Sequence, residues 1–208
     1  VVAKSAVERY AERSREAARS LERRNDDDDD DRRRSRSSAQ PSGSASAGEG
    51  GEVVVDLGAE GKLRLPPHAA LAKELSPPEN LARSLAYRID DDRVLLVNVS
   101  KPDPASCVDK LDREDRQTTE AASKPEAKAL ISLAVHERRK PGGHDAIYTE
   151  VRSRSADEAK RDAPFHEGVG YLLCGPTSLV NLSFMRLHGE IDATDRALVD
   201  RIAASFAP

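Results

Sequence analysis

The chain predicts an α+β fold: a mainly antiparallel sheet sandwiched by helices, with a disordered N-terminal linker. Three observations carry this reading. Short runs of alternating apolar residues come in pairs joined by turns, the pattern of half-buried hairpin strands. The elements run hairpin, short helical cover, hairpin, helix, hairpin, hairpin, helix, without the strand-by-strand helical alternation of a parallel sheet. Before residue 52 the sequence is charged and low in complexity, and apolar patterning of the kind that builds a core starts only there.

The clearest unit is the C-terminal one. Val169, Tyr171 and Leu173 share one face of a strand, Gly175-Pro176-Thr177-Ser178 turns the chain, and Val180, Leu182 and Phe184 share one face of the return strand. After His188-Gly189, Asp192 and Asp195 supply an N-cap and first-turn acid, and Leu198, Ile202 and Phe206 repeat at four-residue steps. This closing helix is expected to lie on Val180, Leu182 and Phe184, leaving Asp195, Arg196, Asp200 and Arg201 on the wet surface.

Composition sets bounds. Aromatics make up 3% of 208 residues, with no Trp, so the core must come from Val, Leu, Ile and Ala. The 33 basic residues nearly cancel 37 acidic ones, for a net charge of −4, which gives no long-range steering toward nucleic acid or an anionic membrane. No apolar run approaches the roughly 20 residues of a membrane-spanning helix. The chain opens on Val1, so an export signal or membrane anchor upstream is the expected route to any membrane association. Cys107 and Cys174 fit neither a zinc cluster nor a disulfide-rich scaffold, and allow one bridge at most.

Three regions follow. Residues 1–24 carry a thin stripe, Val7, Tyr10, Ala11, Ala17, Ala18 and Leu21, among Glu and Arg: a charged helical segment, read either as a stalk or partner-binding helix or as a frayed solvated helix. Residues 25–51 hold Asp26 to Asp31, then Arg32-Arg33-Arg34-Ser35-Arg36 and a Ser, Gly, Ala and Pro tract, a linker too polar to offset its chain entropy. The Asp run lacks the spaced oxygens and glycine turn of a calcium loop, and the Arg-Ser run has acids beside it and no aromatic for base stacking.

Residues 52–208 form the globular domain. Val53, Val54, Val55 and Leu57 pair through Gly58 to Gly61 with Leu63 and Leu65, up to Pro66-Pro67. Leu71, Leu75 and Leu81, with Pro77-Pro78 between them, suggest one or two helical turns over a sheet edge. Leu85, Tyr87 and Ile89 pair with Val94 to Val99. Asp103-Pro104 opens a covering helix to about Ala122, with Cys107 or Val108, Leu111, Thr118 and Ala121 inward and an Asp112–Arg116 pair outward. Ile131, Leu133 and Val135 alternate, Lys140 to Gly143 turns, and Ile147, Thr149 and Val151 return.

On the motifs Ala146-Ile-Tyr-Thr-Glu-Val151, Gly170-Tyr-Leu-Leu-Cys174, Val180-Asn-Leu-Ser-Phe184 and Ile202-Ala-Ala-Ser-Phe206, residues 52–206 resemble the Mog1/PsbP-like superfamily. The resemblance implies a six- or seven-stranded antiparallel sheet between helices. It also implies a binding or assembly module, since a small-GTPase-binding factor, an extrinsic photosystem subunit and bacterial envelope proteins are among its members, and none of these roles is hydrolytic.

No phosphate-binding glycine loop or nucleophile elbow occurs. His136, His144 with Asp145, His166 with Glu167, and His188 all fall near ends of the late hairpins, without a His-x-x-x-His spacing; His136 lies opposite Ile131, Leu133 and Val135 and reads as solvated. Cys174 and Ser178 are the candidate nucleophiles, although Cys174 also reads as a small hydrophobe ending a strand. In an exported chain Cys107 and Cys174 can meet and bridge. The expectation is therefore a non-enzymatic protein-binding or assembly module, without catalytic, cofactor or metal residues, with a protein partner and no nucleic acid. A tethered cell-envelope protein, extracytoplasmic rather than cytoplasmic, is favoured, and an enzyme with a histidine-lined site on the late hairpins is the alternative.

Overall fold

A computed structural model describes residues 46–47, 51–72 and 81–208. The charged segment 1–24, nearly all of the 25–51 linker, and Leu75 with Pro77-Pro78 lie outside the described residues. Ser46–Ala47 (β1), inside the stretch assigned to the linker, pairs with Val53–Asp56 (β2). β2 pairs in turn with Lys62–Leu65 (β3), giving a small three-stranded sheet.

The main sheet has seven strands, each antiparallel to its neighbours: Ala70–Ala72 (β4), Leu81–Arg88 (β5), Arg93–Ser100 (β6), Ile131–Arg139 (β7), Ala146–Ser153 (β8), His166–Cys174 (β9) and Leu179–Arg186 (β10), in spatial order β4-β5-β6-β10-β9-β8-β7. Every hairpin expected from the alternation is present. Leu71 is on a strand, not a helical turn: three residues of β4 pair with Ala86 to Arg88 of β5, where the sheet edge supplies backbone partners that so short a helix lacks. Leu81 likewise opens β5.

Cys107–Ser123 (α1) starts later than expected. Ser106 is the cap, its hydroxyl accepting from the Asp109 amide at 3.2 Å, while Asp103 closes a local turn by accepting from the Ala105 amide at 2.9 Å. Lys110, Leu111 and Thr118 are buried and Val108 is exposed. Asp112 reaches Arg138 of β7 at 2.5 Å, not the expected Arg116, tying the helix to the sheet. Two short helices escaped the pattern: Pro125–Lys128 (α2), and Ala156–Lys160 (α3) with its Ser155–Glu158 capping box.

Ala193–Ala204 (α4) closes the chain. Its Leu198, Val199, Ile202 and Ala203, with Phe206 just beyond, join one core with Val180, Leu182 and Phe184, as the stripe foretold. The β2–β3 hairpin shares this layer, because Val55, Leu57, Leu63 and Leu65 enter the same core. One face of the sheet is thus covered by a helix and a hairpin, and the other carries α1. The hairpin is anchored at its far end too: Lys62 and Ala207 exchange backbone hydrogen bonds at 2.8 and 3.0 Å.

The wet side of α4 differs from the expectation. Asp195 is fully buried, completes a capping box with Asp192, and accepts from Arg186 at 2.6 Å. Arg196 grips Glu150, and Asp200 accepts from Tyr171. A polar residue facing a neighbouring strand becomes a partner, which helical spacing alone does not show.

At the turn between β9 and β10, the nearly buried Glu60 accepts from the amides of Thr177 and Ser178 at 3.1 and 2.9 Å and from the Thr177 hydroxyl. Its carboxylate lies where a Cβ on Gly175 would sit. Lys110 of α1 donates to the Thr177 carbonyl at 2.6 Å, so this turn joins the first hairpin, the sheet and α1.

Ile202→Ala is expected to cost about 2 to 5 kcal/mol as a buried large-to-small change, read as a lowered midpoint in urea. Arg201→Ala, on an exposed position of the same helix, is expected to stay within about 0.5 kcal/mol. The Cys107–Cys174 bridge spans 67 residues with Cα atoms 5.7 Å apart, and chain-entropy arithmetic for such a loop gives about 4 kcal/mol. Cys107→Ser with Cys174→Ser should lower the urea midpoint accordingly, and mass spectrometry of the unreduced protein should find no alkylatable thiol.

Candidate functional site

On the α4 side, where the helix leaves β7 and β8 partly open, charged and phenolic groups from four elements meet. Antiparallel register sets Tyr148 of β8 directly opposite Tyr171 of β9, and their rings sit 5.0 Å apart at 54°. Arg139, the last residue of β7, lays its guanidinium 3.5 Å above the Tyr148 ring. The same guanidinium donates to the Tyr171 hydroxyl at 3.3 Å and to Glu137 at 2.7 Å, and lies 3.5 Å from Asp200 of α4. Tyr171 donates to Asp200 at 2.7 Å, and Tyr148 donates to Glu150 at 2.7 Å. Glu150 takes a two-pronged grip from Arg196 of α4 at 3.1 and 3.0 Å.

These contacts set the charge states. Burial, reinforced by the hydrogen bond to Asp200, pushes the Tyr171 phenol up to about 12. Burial and the bond to Glu150 push Tyr148 up as well. The Arg196 hydrogen bond, outweighing burial, holds Glu150 below the usual carboxylate range. At neutral pH the phenols therefore keep their protons and Glu150 stays ionised, so neither is poised for proton transfer. What the array offers a partner is direction: a half-exposed Arg139 and Arg196 fixed in orientation, flanked by the exposed acids Glu137 and Asp200. Beside it Glu150, Arg152, Glu167 and Arg196 line a small, partly open pocket of about 40 Å³.

The structure distributes the candidate histidines. His136 is not solvated: β7 bulges at Ala134, between the Leu133–Val151 and Val135–Glu150 pairs, so the alternation reverses. Val135 turns to the α4 side, whereas His136 joins the face of Ile131 and Leu133 beneath α1. There one ring nitrogen meets Asp115 of α1 at 2.8 Å and the other meets Thr149 at 3.0 Å. His144 sets its ring edge-on to Phe206 at 5.8 Å, and its neighbour Asp145 pairs with Lys140. His166 pairs with Glu158 and His188 with Asp92, each at 3.1 Å. Glu167 holds Arg152 and the Ile191 amide. Among the described residues, no three His, Cys, Asp or Glu side chains gather as a metal site. Cys174 has no thiol to attack with, since its sulfur bridges to Cys107, and Ser178 is buried behind Glu60.

No family model matches the chain, and no curated protein does. Solved structures do match. One is the solution structure of cyanobacterial PsbP (CyanoP) from Synechocystis sp. PCC 6803, 16% identical, covering 82% of this chain and 97% of that one with a TM-score of 0.48. The likeness is with a PsbP protein, as the sequence motifs suggested, and it is a likeness of fold from which no function follows.

Arg139, Tyr148, Glu150, Arg196 and Asp200 had no signal in the sequence as a group. Tyr148 and Tyr171 are two of only four tyrosines, but their pairing depends on the register of β8 on β9.

Because Glu150 titrates lower in the folded chain than in the unfolded one, its contribution to stability is complete above about pH 4.3 and is lost as pH falls through the folded value. The urea midpoint of the unaltered protein should fall as pH drops below about 4.3, and Glu150→Gln should flatten that part of the profile while lowering the midpoint at pH 7.

Proposed function

We propose that the domain is a non-enzymatic protein-binding or assembly module that works in an oxidising, extracytoplasmic compartment, as a tethered cell-envelope protein would. The carrying observation is the oriented Arg139–Tyr148–Tyr171–Asp200 array. Arginine is among the residues most often found where few contacts supply most of a binding energy, and here Arg139, half-exposed above the buried rings of Tyr148 and Tyr171, is held in orientation before a partner arrives. The alternating charges suit a partner surface of mixed sign, not a polyanion. The Cys107–Cys174 bridge supports the compartment, because bridges of this kind persist where thiols are not kept reduced. No helix among the described residues is long and apolar enough to cross a membrane.

The test is recovery of a partner by crosslinking in the native compartment, followed by affinity measurement with purified components. Arg139→Ala with Glu137→Ala should weaken binding by about thirtyfold, the size of a typical hot-spot loss, without a matching loss of thermal stability. Lys160→Ala, on exposed α3, should leave it unchanged. Equal affinity for all three proteins would place the binding surface elsewhere.

A further inference from the structure

α1 and α4 cover opposite faces of the sheet, and they are held there by unequal means. Of the 17 residues of α1, Leu111 is the one large apolar side chain turned inward; Val108 is 54% exposed, and the other buried residues are Lys110 and Thr118. Leu111 meets Ile147, Cys174 and Leu179, with Leu172 and Cys107 against them, in a cluster that shares no residue with the core beneath α4. The rest of the attachment is polar. Asp112 reaches Arg138 and Asp115 reaches His136, but these acids are 56% and 43% exposed, and solvent screens such pairs until they add little. At the far end of the helix Lys124 is extended backbone, a joint before α2. The near end is fastened by the Cys107–Cys174 bridge in its first turn.

We propose that this bridge is a redox latch: reduction by a dithiol frees α1 from the sheet and bares Ile147, Leu172 and Leu179, while the fold beneath α4 stays closed. One thiolate of the dithiol attacks a bridge sulfur, forms a mixed disulfide with it and expels the other cysteine as a thiolate. The dithiol's second thiolate then attacks its own sulfur in the mixed disulfide and releases the remaining cysteine. Two electrons and two protons pass to Cys107 and Cys174, and the dithiol leaves as a disulfide. Cys107 is only partly buried, which gives the attacking group an approach from solvent. Cutting the bridge removes the constraint that keeps the first turn of α1 beside the end of β9, and a helix that buries so little neither holds its place nor stays helical alone. The core under α4 loses no side chain in the process, and the β9–β10 turn keeps the bonds that Thr177 and Ser178 make to Glu60. The latch stands apart from the Arg139 array, which lies on the other face.

The test compares the full bridged chain with the same chain reduced by dithiothreitol, and with Cys107→Ser, Cys174→Ser, which needs no reductant. Cys107 and Cys174 are the only cysteines in the sequence, so the reductant acts on nothing else. The bridge is expected to open in native buffer without denaturant. Amides from Leu111 to Thr118 should then exchange about a hundredfold faster, a factor that matches the usual size of a disulfide constraint. Binding of a hydrophobic dye should rise severalfold, the amides of β10 and α4 should keep their protection, and reoxidation should reverse both changes. The double variant should show the reduced pattern at once. Unchanged α1 exchange after reduction, equal acceleration in α1 and α4, or a bridge that yields to the reductant only in urea would each overturn the inference.

Discussion

The fold depends on keeping the central pair β9–β10 dry on the α4 side. Val180, Leu182 and Phe184 of β10 and Val169, Tyr171 and Leu173 of β9 are at most 3% exposed. With few aromatics in the chain, aliphatic side chains must fill this space, and no single element carries enough of them. The closing helix brings Leu198, Val199, Ile202 and Ala203, and the β2–β3 hairpin brings Val55, Leu57, Leu63 and Leu65. Two elements from opposite ends of the sequence therefore share one layer, and the Lys62–Ala207 backbone pair joins them where they meet. Burial at about 25 cal/mol per Å² is non-directional, so direction has to come from polar ties such as this one and the Glu60 carboxylate at the β9–β10 turn.

Those ties explain why so many charged residues serve structure in a chain that is 34% charged. Asp195 is buried but caps a helix and faces Arg186 and Arg93; Glu150 is desolvated but doubly bonded to Arg196. A buried charge persists only when paired and hydrogen-bonded. The same rule makes the Arg139–Tyr148–Tyr171 array stiff. Its members satisfy one another, and the ordering cost that a binding surface would otherwise meet on contact is already met in folding.

On the other face the bulge at Ala134 has the larger consequence. One extra residue reverses which way β7 points, moving Val135 into the main core and His136 under α1. α1 meets the sheet through the disulfide, Leu111, Lys110, Asp112 and Asp115, a short and mostly polar set of contacts. It is the less apolar of the two covers, and a covalent link at its first turn compensates for the area it does not bury.

By itself the sequence determined the α+β class, the hairpins, the closing helix with its stripe, and the bed on β10, because period-two and period-3.6 patterns are local and each residue reports its own face. It left the bridge between Cys107 and Cys174 open, since that pairing needs α1 placed over the end of β9. Tertiary structure alone decided the rest. Leu71 became a strand because β5 offered an edge, His136 changed faces because of one bulged residue, and Arg196 and Asp200 turned from wet surface into partners of Glu150 and Tyr171. Each of these depends on register or on contacts between residues far apart in the chain, and periodicity carries no information about either.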